Sequence, residues 1–399
     1  MSAENNNGKD FVAAVFLQES VCYASLHFTG NEGTTVHIEA FDFSNTTTIG
    51  KDLWAKQDLI SEICFDVKSE ATATKGIRVT ASDDISVAAM TTEHRHKSES
   101  FLVLPTSQLS IEYYAVSAIG NCAYSKLMII ATATSTEITL TLRVFSGKCT
   151  DSGHEDGKTI KVKLDKMEVF GLYCNKDITG THIISSKPVA VVSGCHSTRT
   201  SRNGAFDPVA DMLIPVQLYG TNYILYNINT VLPVVYRVVA AADNTDIVLA
   251  GQADHVLQEG GFIDIRTTGA DCLTASSPVL VVAFTEQTSK FGDPLMAVVQ
   301  STDHFMSSYL VYAQANPITE RTKALIGLVS SLPNIDAIVS GAEMTEVAKH
   351  AACGFSIGTF ELSSDSVVNL QSSKPFGLLY IGVGTYNGMG YSGGFKNGK

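Results

Sequence analysis

Residues 181–192 read THIISSKPVAVV: a polar corner, Ser185-Ser186-Lys187, followed by Pro188 inside an apolar run. The pattern returns three times, as VTASDDISV at 79–87, TASSPVLV at 274–281 and NLQSSKPFGLL at 369–379. Aligned on Ser82, Ser186, Ser276 and Ser373, the intervals are 104, 90 and 97 residues. A spacing this regular predicts an internally repeated architecture. Proline lacks an N–H and belongs at strand starts and edges, so Pro188, Pro278 and Pro375 each mark the entry of a strand. They also hold the serines before them extended. In the first copy Asp83-Asp84 stands in these places, and aspartate is a turn former.

Two further markers keep step. IIATATSTEITL (129–140), VVAAADNTDIVL (238–249) and LVSSLPNIDAIV (328–339) align on Thr136, Thr245 and Ile335, with GTTVHI (33–38) as the first copy on Thr35. An aromatic strand follows as YYAVSA from Tyr113, YILYNI from Tyr223 and YLVYAQ from Tyr309. Each unit is therefore read as a T-x-I strand, an S-x-P strand, a variable loop and a tyrosine strand. Alternation in GKTIKVKLDKMEV (157–169) puts Ile160, Val162, Leu164 and Met167 on one face and lysines on the other. Val, Ile and Thr suit pleated strands, and turn signals fall at short intervals. Only LWAKQDLISEI (53–63) and AEMTEVAKHAA (342–352) read as short helical turns. The prediction is an all-β chain of four units of about 95 residues, propeller-like or a stacked antiparallel β-sandwich array. The unit bounds are 11–120, 121–230, 231–318 and 319–399, after a disordered segment 1–10.

The net charge of −12 argues against a nucleic-acid surface, which needs clustered Lys and Arg. His94-Arg95-His96-Lys97 is the densest basic cluster, and it is flanked by Glu93 and Glu99. No apolar run reaches the roughly eighteen residues of a spanning helix, so no membrane span is expected. FVAAVFL (11–17) is too short for a signal peptide core. The eight cysteines, Cys22, Cys64, Cys122, Cys149, Cys174, Cys195, Cys272 and Cys353, are even in number. About 105 pairings are open to them, and buried free thiols are the competing reading. Asn45-Thr46-Thr47 is the single N-x-S/T sequon, a place for a glycan if the chain is secreted.

DITGTHIISSKPVAVVSGCHS (177–197), DMLIPVQLYGTNYIL (211–225), YRVVAAADNTDIVL (236–249), SSPVLVVAF (276–284), GDPLMAVV (292–299) and SSKPFGLLYIGVGTYNGMGYSGG (372–394) together resemble the N-terminal domain of the IgG Fc-binding protein family. The resemblance runs from about Lys75 to Phe395. It implies a mucus-associated, extracellular, non-catalytic recognition or adhesion module with a glycoprotein or mucin-type partner. Secretion is expected on this ground although no signal peptide is present. A leader lost from this sequence is one explanation, and a cytosolic or unconventionally exported relative is the other. Immunoglobulin is not assumed as partner, because no motif encodes an Fc contact.

Enzyme signatures are largely missing: no G-x-S-x-G, H-E-x-x-H, P-loop or dinucleotide fingerprint. Ser185-Ser186-Lys187 is a poor Ser/Lys pair, because the serines recur without the lysine at Ser276-Ser277-Pro278. Cys195-His196 reads as a disulfide or buried thiol, since neighbours on a strand point to opposite faces. Asp207/Asp211 and Asp243/Asp246 could give oxygen ligands to calcium, but no EF-hand pattern accompanies them and turn caps explain them as well. No metal or other cofactor is expected. The loops Thr91–Phe101, Cys195–Asp211 and Glu286–Met296 differ from one another on a similar framework, where binding residues tend to lie. The candidate contacts are His94, Arg95, His96, His196, Arg199, Arg202, Asp207, Lys290 and Asp293. A carbohydrate-active hydrolase and a purely structural spacer are the alternatives.

Overall fold

The computed structural model describes the chain apart from residues 1–6, 18–21, 69, 94–96, 146, 151, 201–205, 228–232, 250–253, 268, 287–292, 314–322, 332–343, 351–353, 363–365, 385–386 and 397–399. Among the described residues the structure is all-β: four antiparallel sheets of seven, nine, seven and six strands, four 3₁₀ turns and no α-helix. Each sheet is built on one long strand, which we call its hub: Ile77–Glu93, His182–Arg199, Ala270–Thr285 and Ser366–Gly384. These are the four S-x-P segments.

The hub changes partners at its Ser-x-Pro corner. Before the corner, hub residues pair with a strand here called the corner strand: Gly8–Ala13, Ser110–Tyr114, Gly220–Tyr226 or Met306–Ala313, the last three carrying the tyrosine marker and the first Phe11. In the first three sheets they also pair with the T-x-I strand. After the corner they pair with the second strand of the sheet and with a closing strand: Lys97–Val103, Asp207–Met212, Met296–Val298 or Asn387–Ser392. All four corner strands slip register opposite the corner, and in the last three sheets the proline there cannot donate to the ladder. The first sheet has Asp84 where the others have proline, and its N–H goes instead to Asp83 Oδ1 at 2.9 Å.

The repeated serines and tyrosines fasten this corner. Ser82, Ser186 and Ser276 Oγ accept from the amides of Thr35, Glu137 and Asp246 at 3.0, 2.9 and 2.8 Å. Tyr113, Tyr223 and Tyr309 donate their hydroxyls to the carbonyl just past each proline, Val189, Val279 and Phe376, at 2.7, 2.6 and 2.5 Å. The same hydroxyls accept from the amides of Ser110, Gly220 and Met306.

Some expectations need correction. The tyrosine strand opens the sheet of the hub that follows it: Tyr113 pairs with Ile183 of the second sheet, inside the segment assigned to unit 11–120. Thr34, not Thr35, matches Thr136 and Thr245. All three threonines are buried, and each follows a left-handed residue, Gly33, Ser135 or Asn244. Residues Trp54–Leu59 and Met344–His350 are strands, because pairing with Ala24–Thr29 and with Phe355–Phe360 outweighs any local helical pattern. The first strand starts at Gly8, inside the segment 1–10 read as disordered, because it pairs with the first hub.

The sheets close on themselves. Each closing strand packs against the next, and the fourth packs against the first. Ala88, Met90 and Leu102 of the first sheet sit in the apolar core of the fourth. Thr29 Oγ1 donates to Leu310 O at 2.9 Å across the same junction, and Tyr312 stacks on both His27 and Trp54. The first two sheets share a core to which residues 11–16 and 63–67 contribute. A segment from between strands of the first sheet, Ala71–Thr74, adds an edge strand to the second by pairing with Glu168–Gly171. Between the second and third sheets, Gly180 and Gly260 lie back to back with φ of 87° and 68°. A Cβ on Gly180 would come within 1.9 Å of Gly260 O, so only glycine fits.

Candidate binding face

The variable loops are hairpins between a hub and its closing strand. Residues 94–96, 201–205, 287–292 and 385–386 between these strands lie outside the described residues, and with them His94, Arg95, His96, Arg202 and Lys290. The strand ends on either side are described. Ser98–Ser100, Pro208–Ala210, Leu295–Met296 and Gly388–Gly390 come together along one narrow, buried seam. Each of these segments directly follows a hairpin, so the starts of the four closing strands meet at one end of the ring. Gly388 makes the approach possible, since a Cβ there would be 2.2 Å from Asp293 O.

The acids of this region are inside it. Asp207, Asp293 and Glu99 are 0%, 1% and 3% exposed. Burial pushes the Asp207 carboxyl well above its usual range, and the charges of Asp293 and Glu99 add to the effect. Burial alone pushes Asp293 up to about 7. Asp211 is likewise raised by burial, although its Oδ2 accepts from Val298 N at 2.6 Å and ties the second closing strand to the third. Glu99 accepts from Thr91 Oγ1 at 3.0 Å. The structure thus brings Asp207 and Asp293 together, but beneath the face rather than on it. Asp207 and Asp211 lie in the second closing strand, whereas Asp243 accepts from Glu259 N at 3.0 Å, sixteen residues on. Among the described residues no group of three or more His, Cys, Asp or Glu is placed to hold a metal ion.

His196 and Arg199 lie at the root of the second hairpin, where the ladder bulges between Cys195 and Thr198. Both are half-buried. His196 meets the edge of Tyr173, and the Arg199 guanidinium lies 4.9 Å over the Phe206 ring. Cys195 is bonded to Cys122, so of the two readings, disulfide or buried thiol, it is the disulfide. Cys22–Cys64 and Cys149–Cys174 are the other disulfides resolved as pairs, Cys272 is also disulfide-bonded, and no described cysteine is free.

Glu99 and Asp211 fall inside the loops Thr91–Phe101 and Cys195–Asp211 but are not among the candidate contacts, and both are buried here. The available signal was a carboxylate set in an apolar closing strand, as in DPVADM. A small apolar gap lies between the third and fourth sheets, lined by Ile224, Tyr226, Tyr236, Phe305 and Leu378 among others, with no acid.

A family profile described as IgGFc binding protein matches residues 99–382. The human IgGFc-binding protein is 24% identical over 305 residues, which is 71% of this chain and 5% of that protein. The chain therefore spans only a small part of that relative. A solved structure titled "Ca2+-stabilized adhesin helps an Antarctic bacterium reach out and bind ice" is 11% identical and covers 98% of this chain and 99% of its own. Its TM-score of 0.14 is too low to support any argument.

Proposed function

Because the chain belongs to the IgGFc-binding protein family, as its sequence resemblance implied, we propose that it is an extracellular, non-catalytic recognition or adhesion module. Its partner would meet the rim formed by the hub-to-closing hairpins. The observation behind this reading is the meeting of four closing strands along one buried seam, directly after loops whose sequences differ. A shared framework presenting unlike loops at one end is how binding surfaces are commonly built. His94, Arg95, His96, Arg202 and Lys290, with His196 and Arg199 at the second root, are its contact candidates.

Disulfides fit folding in an oxidising compartment, and no helix among the described residues is long and apolar enough to cross a membrane. We read the four sheets as four copies of one module, each beginning at its corner strand. The hydrolase alternative needs paired carboxylates open to substrate. The acids that converge here are buried, which weighs against it.

The partner is proposed to be a glycoprotein. Immunoglobulin capture is named for the human relative and enters here only as one arm of the test. The purified chain would be presented to a glycan array, to mucus glycoproteins and to immunoglobulin, with and without calcium. The same assays would be run on a variant whose residues 201–205 are replaced by a Gly/Ser turn of equal length. With thermal unfolding unchanged, capture should weaken. Equal capture by the two forms would retire the rim.

A further inference from the structure

Phe43–Thr48, sequence FSNTTT, ends the first sheet and pairs only with Thr35–Ala40 among the described residues. Its other side is an open edge. The sheet curls until this edge nears the opposite one, Trp54–Leu59, and across the gap Asn45 Nδ2 donates to Gln57 Oε1 at 2.5 Å. No ladder joins the two edges among the described residues.

Open edges invite pairing with other chains, and proteins protect them with charge, shortness or cover. The corresponding edge of the second sheet, Thr159–Leu164, carries Lys161 and Lys163, and that of the third, His255–Leu257, is three residues long. The first has neither protection: six residues, no charge and four side chains suited to β-structure, Phe43 and three threonines. It does carry the chain's sole N-x-S/T sequon, Asn45-Thr46-Thr47, with Asn45 and Thr46 exposed.

We propose that Asn45 is a site of N-linked glycosylation and that its glycan shields this edge. In the secretory pathway the donor is a lipid-diphosphate-linked oligosaccharide. Asn45 Nδ2 forms a bond to C1 of the reducing-end sugar and loses a proton. The C1–O bond to the diphosphate breaks, and the lipid diphosphate leaves with the electron pair. No oxidant or reductant is involved. The inference needs the secretory setting to which the disulfides point, and it is independent of the rim.

The full chain secreted from eukaryotic cells behind a leader would be denatured and weighed before and after peptide-N-glycosidase. Reading denatured protein keeps occupancy separate from folding. One discrete mass step is expected, absent in Asn45→Gln and Thr47→Ala and retained in Thr46→Ala. No step in the unmutated chain would overturn the site. Secreted Asn45→Gln should self-associate at concentrations where the glycosylated chain is monomeric by light scattering, and adding Thr46→Lys should restore the monomer. A fully monomeric Asn45→Gln would overturn the shielding role.

Discussion

The first and third sheets build the same corner with different chemistry. In the third, Tyr223 bridges Gly220 N and Val279 O, and Pro278 ends the ladder. Arg237 then joins the sheet to its neighbour. Its guanidinium is 4% exposed and donates to Asp264 through Nε and Nη2, and through Nη1 to Asp177 and to Thr179. In the first, Phe11 occupies the tyrosine position and Asp84 the proline position. That sheet is held by the Cys22–Cys64 bond and, at its junction with the fourth, by the His27, Trp54 and Tyr312 rings. The pairing plan tolerates either solution because the plan resides in the hub. What differs is how each sheet should fail.

The largest effect is expected at Arg237. Arg237→Met leaves Asp177 and Asp264 facing a desolvated junction, a loss of about 3–5 kcal/mol. Urea unfolding would measure it. A double change that also replaces Asp264 with Asn should cost less than the sum of the two single changes. A loss under about 1 kcal/mol would mean the junction is held by packing alone. Next comes Tyr223→Phe, which strips Val279 O and Gly220 N of a buried partner at about 1–3 kcal/mol. Tyr113→Phe should match it, since its bonds are the same two.

Acid and base should separate the two regions. Burial, and then Lys56, lower His27 from 6.5 to about 4, so the folded state holds fewer protons than the unfolded between those values. Its contribution to stability is present above pH 6.5 and is lost as pH falls toward 4. Asp293 is raised from 3.8 to about 7, so there the folded state holds more protons. Its contribution is present below pH 3.8 and is lost as pH rises through 7, and Asp207 and Asp211 act in the same direction. The two trends oppose each other between pH 4 and 6.5. In urea midpoints measured against pH, His27→Phe should make the decline toward neutral pH steeper, and Asp293→Asn should flatten it. If neither variant changes the slope, burial is not setting these protonation states.

The hubs were readable because proline and serine do local work that leaves a local mark. A missing N–H must fall at a corner, and a serine oxygen there can accept the T-x-I amide. The threonine register slipped by one residue in the first sheet because Gly33-Thr34-Thr35 offers two equal choices, and only the left-handed turn at Gly33 decides between them. Which sheet owns the tyrosine strand could not be read along the chain, since Tyr113 lies between two hubs and pairs with the later one. Asp207 and Asp293 were marked as surface contacts because carboxylates in polar loops usually are exposed. Their burial follows from ring closure, which brings together closing strands far apart in sequence. Of residues 53–63, Ser61–Ile63 does form a 3₁₀ turn, but Trp54–Leu59 is a strand that gains its order from Ala24–Thr29, not from its own spacing.

The smallest expected effect tests the comparison most directly. Phe11 Cζ lies 3.6 Å from where a Cβ on Gly8 would be, and Tyr223 Oη lies 3.7 Å from the same point on Gly220. Gly8 pairs with Ile85 as Gly220 pairs with Val279. A hydroxyl added to Phe11 would therefore extend toward Gly8 N and Ile85 O, the partners that Tyr223 finds in its own sheet. Phe11 is fully buried, so a hydroxyl that missed them would be stranded at a cost of about 1–3 kcal/mol. Phe11→Tyr should instead change stability by less than about 1 kcal/mol, because the new hydroxyl would find the partners that Tyr223 has in its own sheet as it is buried. A clear destabilisation would show that the first corner is a different structure, and that its likeness to the third ends at the pairing plan.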